Sequence, residues 1–397
     1  MLGAIFYTSS SDHPAFKRFY GVVPMLLLCY FLPSLLTTFG LVDGASSKLY
    51  FVASRYLLPA CLVLLTLSVD LREIARLGFK PVAMFMVGTT GVVLGGPLAI
   101  LITSAVNPDL VGGAGPEAVW RGMTTVAGSW IGGGANQAAM YEIFQPSDPL
   151  YSIMITVDVI VAEVWMALLL IGIGHRERIN NWFRADASSV DRLRDKMDSF
   201  SKKITRVPTT TDFMVILAVG FGATALAHGV ADTVAPWISA NAPGLQKFSL
   251  TSGFFWLIVT ATTIGVALSF TPLRHYEGAG ASKIGTVFIF ILVATIGLKM
   301  DIKAIFENTG LFVVGAIWMT IHIVLLLIAA YVLRAPYFFV AIGSKANIGG
   351  AASAPVLAAA FHPALAPVGV LLAVLGYVLG TYGAWLCGLL MKAVAPT

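Results

Sequence analysis

The chain has 397 residues, of which 57% are hydrophobic and only 11% charged, and its mean hydropathy is +0.85. A soluble protein carries about 25% charged residues, so this composition excludes a soluble globular domain and implies a polytopic membrane protein in contact with the lipid bilayer. The net charge of +5 is no nucleic-acid signal, because most of the excess lies in one loop, where the positive-inside rule accounts for it.

In chain order, the N-terminal MLGAIFYTSSSDHPAFKRF lacks the basic start, sustained apolar run and small-residue ending of a cleaved signal peptide and reads as mature sequence. Apolar runs of the roughly 20 residues that a helix needs to cross a bilayer fall near 20–40, 50–69, 81–105, 120–142, 150–174, 211–230, 250–270, 283–299, 309–333, 337–360 and 363–391. The expected fold is an all-α polytopic membrane protein with about 10–11 such segments. Cys29, Cys61 and Cys387 lie inside these runs without CxxC or metal spacing and are expected to pack rather than to bridge or ligate.

The one long polar segment, 175–208, carries Arg176, Arg178, Arg184, Arg192, Arg194, Lys196, Lys202, Lys203 and Arg206 and reads as a cytoplasmic linker. Val190, Leu193, Met197, Phe200 and Ile204 recur in it at spacings of three and four, the pattern of an amphipathic helix on the membrane surface. The linker divides two halves, 1–174 and 209–397, that share marks in the same order. LSVDL at 67–71 resembles LKMDI at 298–302, 231 positions on, and GSWIGGGANQAA at 128–139 resembles GSKANIGGAASA at 343–354, with Ile-Gly-Gly elements 217 apart. The difference of 14 matches an extra loop, 107–120, and each Gly-rich element is followed by a short break, SDP or FHP, and another long apolar run. Asp70 and Asp301, beside Arg72 and Lys303, suit interfacial anchoring.

Gly-rich polar interruptions at corresponding places in two halves point to the substrate site of a secondary transporter. An unpaired backbone group in hydrocarbon costs several kcal/mol, so unwound chain persists there only where it lines a cavity or is buried in protein. Gly132, Gly133 and Gly134 permit unwinding in the first half, with Ser129, Asn136 and Gln137 as polar groups; Gly349 and Gly350 with Ser344 and Asn347 repeat the device. Small-residue helix packing explains the glycines but not the polar neighbours. Asp158 sits within IMITVDVIVAEVWMALLL with Glu163 further along, and Lys345 has the opposite charge in the other half; a carboxylate at that depth needs a cation, a proton or a basic partner. The simplest pairing is Asp158 with Lys345, either working or purely structural. His228 and His322 read as hydrogen-bonded core histidines.

The elements GSWIGGGANQAA, the Asp158 helix, SKANIGGAASAPVLAAAF and GYVLGTYGAWL make the chain, from about residue 50 onward, similar to the YjcL-like bacterial membrane family, which has no assigned function. More distantly it resembles the bile acid/sodium symporters and the sodium/proton antiporters. That resemblance implies two inverted repeats, each with a broken helix, a mobile core domain beside a scaffold, an elevator-like or rocking movement, and homodimers. It places Asn136 and Gln137 with sodium-site residues, Ser152 and Thr156 with hydroxyl ligands, and Asp158 with the ion-binding carboxylate. Na+ is thus expected at Asn136, Gln137, Ser152, Thr156 and Asp158, and no other cofactor. The acidic and glutamine residues of the symporters' second broken helix are not matched here; Lys345 stands nearby and would couple transport to protons by pairing with the carboxylate in one state and releasing it in another.

The basic loop 72–80 and the linker 175–208 lie on one side only if an even number of crossings separates them, yet three apolar runs lie between. A re-entrant hairpin at 120–142 resolves the parity and inverts the halves; the resemblance instead implies a spanning broken helix there. The expected function is a secondary active transporter of a small organic solute in the bacterial inner membrane, coupled to H+ or Na+, with Asp158, Lys345, Glu163, Thr156 and Ser152 at the coupling site; Lys345 is alternatively the partner of an anionic substrate's carboxylate. A sodium/proton antiporter without organic substrate and a passive channel are the alternatives. An enzyme is not expected, since no metal-protease motif, paired Asp motif or Ser-His pairing at useful spacing is present.

Overall fold

A computed structural model of the chain describes residues 1–20, 23, 25–42, 48–67, 74, 77–201, 207–248, 250–298, 309–362 and 365–396. Asp70, Asp301 and their basic neighbours lie outside the described residues, as do the side chains of Met197, Phe200 and Ile204.

Among the described residues, each apolar run named above is helical. The N-terminal helices are α1 (Leu2–Ser9), α2 (Pro14–Tyr20) and α3 (Met25–Thr38). Then follow α4 (Leu49–Leu67), which contains a π-helical turn at Ala53–Leu57, and α5 (Phe79–Ser104). The Gly-rich α6 (Val119–Phe144) leads to α7 (Asp148–Gly174), whose start is set by Ser147 accepting from the Leu150 amide and by Pro149 in the first turn. The linker holds α8 (Arg176–Phe183) and α9 (Ser188–Ser201), which carries Val190 and Leu193 of the apolar stripe. A reciprocal capping box between Thr209 and Asp212 opens α10 (Thr210–Asn241), followed by α11 (Gly253–Ser269) and α12 (Ala281–Gly297). The chain closes with α13 (Gly310–Leu333), α14 (Tyr337–Asn347), α15 (Gly350–Phe361) and α16 (Ala366–Val394). Among the described residues α4, α5, α7, α10, α13 and α16 are each long and apolar enough to cross a membrane unaided, and α11 with the Pro272–Ala279 turn, bent by 96°, makes a seventh candidate. The protein is an all-α polytopic membrane protein.

The two Gly-rich segments do not cross. A straight helix rises about 1.5 Å per residue, which would put the ends of α6 more than 30 Å apart. Instead the Arg121 guanidinium donates to Phe144 O, and the Trp120 and Phe144 rings meet edge to face with centroids 5.7 Å apart. Gly133 leaves helical conformation (φ 75°, ψ −174°), and the second arm returns so closely that a Cβ on Gly128 would lie 2.5 Å from Asn136 O. The segments α14 and α15 fold back likewise at Gly349 (φ 110°) and Gly350 (φ 56°), with the Phe338 and Phe361 rings 5.1 Å apart. Both are re-entrant helical hairpins, which corrects the spanning broken helix implied by the resemblance and agrees with the parity of the basic loops.

The hairpins enter from opposite ends. The base of the second lies by the start of α5 and the end of α7: Lys80 Nζ donates to Arg334 O at 2.8 Å, and the Tyr337 hydroxyl donates to Leu169 O at 2.9 Å. The base of the first lies by the start of α7 and the end of α16, where the Ser147 amide donates to Pro116 O and Lys392 stands over the Trp120 ring. Glycines of α16 record both approaches in order. Gly369 abuts Ala354 and Pro355 of the second hairpin; Gly376 faces both tips; Gly380 faces Asn136; Gly388 abuts Thr124 and Phe144 of the first. The helices α5, α6, α7, α13, α14, α15 and α16 pack as one group around these hairpins, while α3, α4, α10, α11 and α12 pack as a second.

A Cβ at Gly376 would lie 2.6 Å from Ile131 O and 3.5 Å from Ala346 O. Overpacking of this kind costs about 1–3 kcal/mol, so Gly376→Ala should lower the thermal unfolding midpoint of the detergent-purified protein. Gly222→Ala, where a Cβ meets nothing within 4 Å, should leave it unchanged or raise it. Equal midpoints for the two variants would mean that the tips do not meet at Gly376.

Candidate functional site at the two hairpin tips

The unwound turns sit where Ile131 O and Ala346 O both face Gly376. These carbonyls come from the C-terminal ends of the first arms, which lose their intrahelical partners at the break. One asparagine per hairpin repairs part of that loss. Asn136 donates through Nδ2 to Gly132 O at 2.9 Å and accepts at Oδ1 from the Thr381 hydroxyl of α16 at 2.7 Å. Asn347 donates through Nδ2 to Gly343 O and to Phe85 O, both at 2.9 Å, and accepts from the Thr89 hydroxyl of α5 at 2.8 Å. Both are fully buried. The two amides expected as substrate ligands therefore hold the turns to neighbouring helices in this conformation.

Asp158, on the buried face of α7, is held by the first hairpin. Its Oδ1 accepts from Trp130 Nε1 at 2.7 Å and its Oδ2 from Gln137 Nε2 at 2.9 Å, with the Ser129 hydroxyl a third partner. The Trp130 ring leans on Trp318, centroids 4.9 Å apart, and Trp318 in turn donates to Val92 O. Thr156 and Ser152 donate their hydroxyl protons to Ser152 O and Asp148 O on their own helix. Of the five residues expected for Na+, Asp158 thus meets N–H donors rather than an oxygen shell in this conformation, and no group of three or more His, Cys, Asp or Glu side chains gathers elsewhere among the described residues.

Lys345 is fully buried, and its ammonium donates to Ala162 O of α7 at 3.2 Å, one turn beyond Asp158. Among the described residues it forms no ion pair within 4 Å, so Asp158 and Lys345 flank the same helix without the direct pairing expected from the sequence. Glu163 is exposed, on the face of α7 that also presents Ile160, Val164 and Leu168. Beside Lys345, the Ser344 hydroxyl accepts from Trp165 Nε1 at 2.8 Å and meets His322 Nε2 at 2.8 Å, while His322 Nδ1 reaches Gly88 O at 3.0 Å. A carbonyl only accepts, so Nδ1 carries the proton and Ser344 donates to Nε2, giving a one-way chain from Trp165 through Ser344 and His322 to Gly88 O. His322 is the buried, hydrogen-bonded histidine the sequence suggests; His228 is half-buried and meets Arg55 O at 2.9 Å.

Residues 1–394 match the family DUF819, described as a protein of unknown function. The chain belongs to that family. It is also 24% identical over 345 residues to the uncharacterized membrane protein YjcL of Bacillus subtilis (strain 168), a match that covers 85% of this chain and 82% of that relative. Both agree with the likeness carried by the two Gly-rich motifs and the Asp158 helix, and neither name states an activity.

Sequence reasoning missed Thr89, Thr381, Trp165 and Trp318, whose contacts span long separations. It also missed a polar cluster at the end of α6, where the Tyr50 hydroxyl donates to Glu142, Arg55 pairs with Glu142 at 3.4 Å and stands over the Phe254 ring, and the Tyr141 hydroxyl donates to Asp148. His228 meets the carbonyl of Arg55 within the π-helical turn, a feature no residue pattern announces.

Removing the Ser344 hydroxyl strands the Trp165 N–H and the His322 acceptor in a dry site. Ser344→Ala should destabilise the protein by about 1–3 kcal/mol, read as a lower midpoint in thermal or denaturant unfolding, while Thr233→Ser at an exposed position should change it little. A silent Ser344→Ala would break the proposed hydrogen-bond chain.

Proposed function

We propose that this protein is a secondary active transporter that moves a small organic solute across the bacterial inner membrane, driven by H+ or Na+. The observation that carries this reading is the meeting of two oppositely entering hairpin tips at Gly376, with a buried carboxylate and a buried ammonium beside them. Unwound backbone at that depth is stable only around a cavity or within protein, and converging helix ends supply dipoles of both signs for an ion and a solute. The two halves are inverted repeats on this reading, each giving one hairpin to the site.

Asp158 is the coupling site. It binds a proton or Na+ when it releases Trp130 and Gln137, and Lys345, one helical turn away, tunes it. Thr156, Ser152 and Glu163 belong to the same stretch of α7. The helix group that holds both hairpins moves as a core against the second group, in an elevator-like or rocking motion, and the chain works as a transporter rather than an enzyme. Antiport of Na+ for H+ without an organic solute would need only Asp158 and Lys345. Homodimer assembly rests on the resemblance to the symporters and antiporters.

Thermal unfolding of the purified protein in Na+ against K+, from about pH 5 to 9, tests the coupling. A ligand that binds only the folded state stabilises by RT ln(1 + [L]/Kd), about 2.7 kcal/mol at one hundred times Kd. Sodium coupling predicts a concentration-dependent rise in midpoint that Asp158→Asn loses. Proton coupling predicts no Na+ effect but a pH dependence that the same variant flattens. If the variant tracks wild type under every condition, Asp158 is not the coupling site.

A further inference from the structure

We propose that the tip of the second hairpin binds the carboxylate of an organic monoanion, held by Lys345 Nζ, the Ser353 hydroxyl and the first amide N–H groups of α15. This names the substrate class for the transporter reading and rests on it. An ammonium has three N–H donors, and that of Lys345 spends one, on Ala162 O. No carboxylate contacts it among the described residues: Asp158 is taken up by Trp130 and Gln137, and Glu163, exposed on α7, acts on the ammonium through its charge from beyond ion-pair distance.

Ser353 Oγ is buried and makes no hydrogen bond among the described residues. It borders the same spot as the ammonium, since a Cβ on Gly349 would collide with Ser353 Oγ and stand 3.3 Å from Lys345 Nζ. Glycine at 349 is what leaves that spot open. The Lys345 ammonium and Ser353 Oγ are themselves buried, but the turn beside them is not filled: Gly349 is exposed, and a Cβ on Gly350 would meet nothing within 4 Å. The twelve-residue α15 starts here with no side-chain cap, which leaves its first N–H groups and the positive end of its dipole directed at the same place.

The charge content selects the ligand. One ammonium and one hydroxyl match a single negative charge. A phosphate dianion or a second carboxylate beside Asp158 would bring uncompensated charge into a low-dielectric site. A carboxylate gives one oxygen to Lys345 and the other to Ser353 and the α15 amides, with charge-assisted bonds on both sides. With a cation on Asp158 and an anion on Lys345, the loaded core carries no unpaired charge at the tips.

Thermal unfolding of the full-length purified protein tests the site with acetate, lactate, pyruvate, benzoate and octanoate against acetamide, lactamide, benzamide and inorganic phosphate. At least one carboxylate should raise the midpoint saturably, with no comparable shift from its amide or from phosphate. Ser353→Ala should weaken that carboxylate roughly tenfold, the loss of about one charge-assisted hydrogen bond, and Lys345→Met should abolish the shift while Thr233→Ser, at an exposed position, keeps it. If Lys345→Met does not fold, Ser353→Ala decides. No saturable shift with any carboxylate, an equal shift with an amide, or a shift indifferent to Ser353→Ala overturns the site. An intact Na+ or pH response through Asp158 would then leave the transporter reading standing. Carboxylate binding without gradient-driven flux in proteoliposomes would instead keep the site and remove that reading.

Discussion

Backbone carbonyls and amides inside hydrocarbon must find partners within the protein, and a helix that turns back halfway across a membrane breaks this rule at its tip. The fold answers twice with one device, an asparagine whose amide caps a carbonyl near the end of the hairpin's first arm and whose oxygen takes a threonine hydroxyl from a neighbouring long helix. Asn136 uses Thr381 of α16 and Asn347 uses Thr89 of α5. Each hairpin is thereby tied to a full-length helix at its weakest point. Ile131 O and Ala346 O are left facing Gly376, and the residual polarity of the site follows from that remainder.

The same constraint governs the charges. Bringing Asp158 and Lys345 into contact would satisfy both and leave little for a ligand, whereas a separation of one turn on α7 keeps each partly dependent on what enters. Asp158 meets the N–H donors of Trp130 and Gln137 and the Ser129 hydroxyl, groups that suit an anion without neutralising it. Lys345 has a single backbone carbonyl. Two buried opposite charges, hydrogen-bonded to neutral groups and acting on each other without touching, form a site whose electrostatics change when an ion arrives.

Much of this was legible in the residues. The composition gave the class, the apolar runs gave the helices, and the paired Ile-Gly-Gly elements marked both tips, because a glycine at positive φ is the only cheap way to turn a buried helix. The hairpins were legible in part. The basic loop 72–80 and the linker 175–208 required an even number of crossings between them, which a re-entrant 120–142 supplies, while the resemblance to symporters pointed the other way. Parity proved the better guide because it counts charges in this chain. Partners such as Thr89 to Asn347, Trp165 to Ser344 and Thr381 to Asn136 were not legible, since nothing local to a threonine or a tryptophan says which distant turn will arrive beside it. Asp158 and Lys345 act on each other without touching for a related reason: complementary charge fixes attraction, but the helix that both residues flank sets the distance.

The arrangement of helix groups bears on how such a site would be exposed. Both tips, both asparagine anchors, Asp158 and Lys345 belong to one group, packed on α16 along its glycines. Contacts with the second group are fewer, and several are polar and replaceable: Thr262 with Thr381 at 3.3 Å, Thr263 with Tyr382 at 2.7 Å, Trp385 donating to Phe248 O at 3.1 Å, and Tyr50 and Arg55 on Glu142. Such bonds can be exchanged for others or for water at modest cost, whereas pulling one tip from α16 would strand backbone groups in hydrocarbon. On the transporter reading the cheaper movement is therefore of the whole hairpin-bearing group past its neighbours, so that the site travels intact between the two faces instead of being taken apart and rebuilt at each.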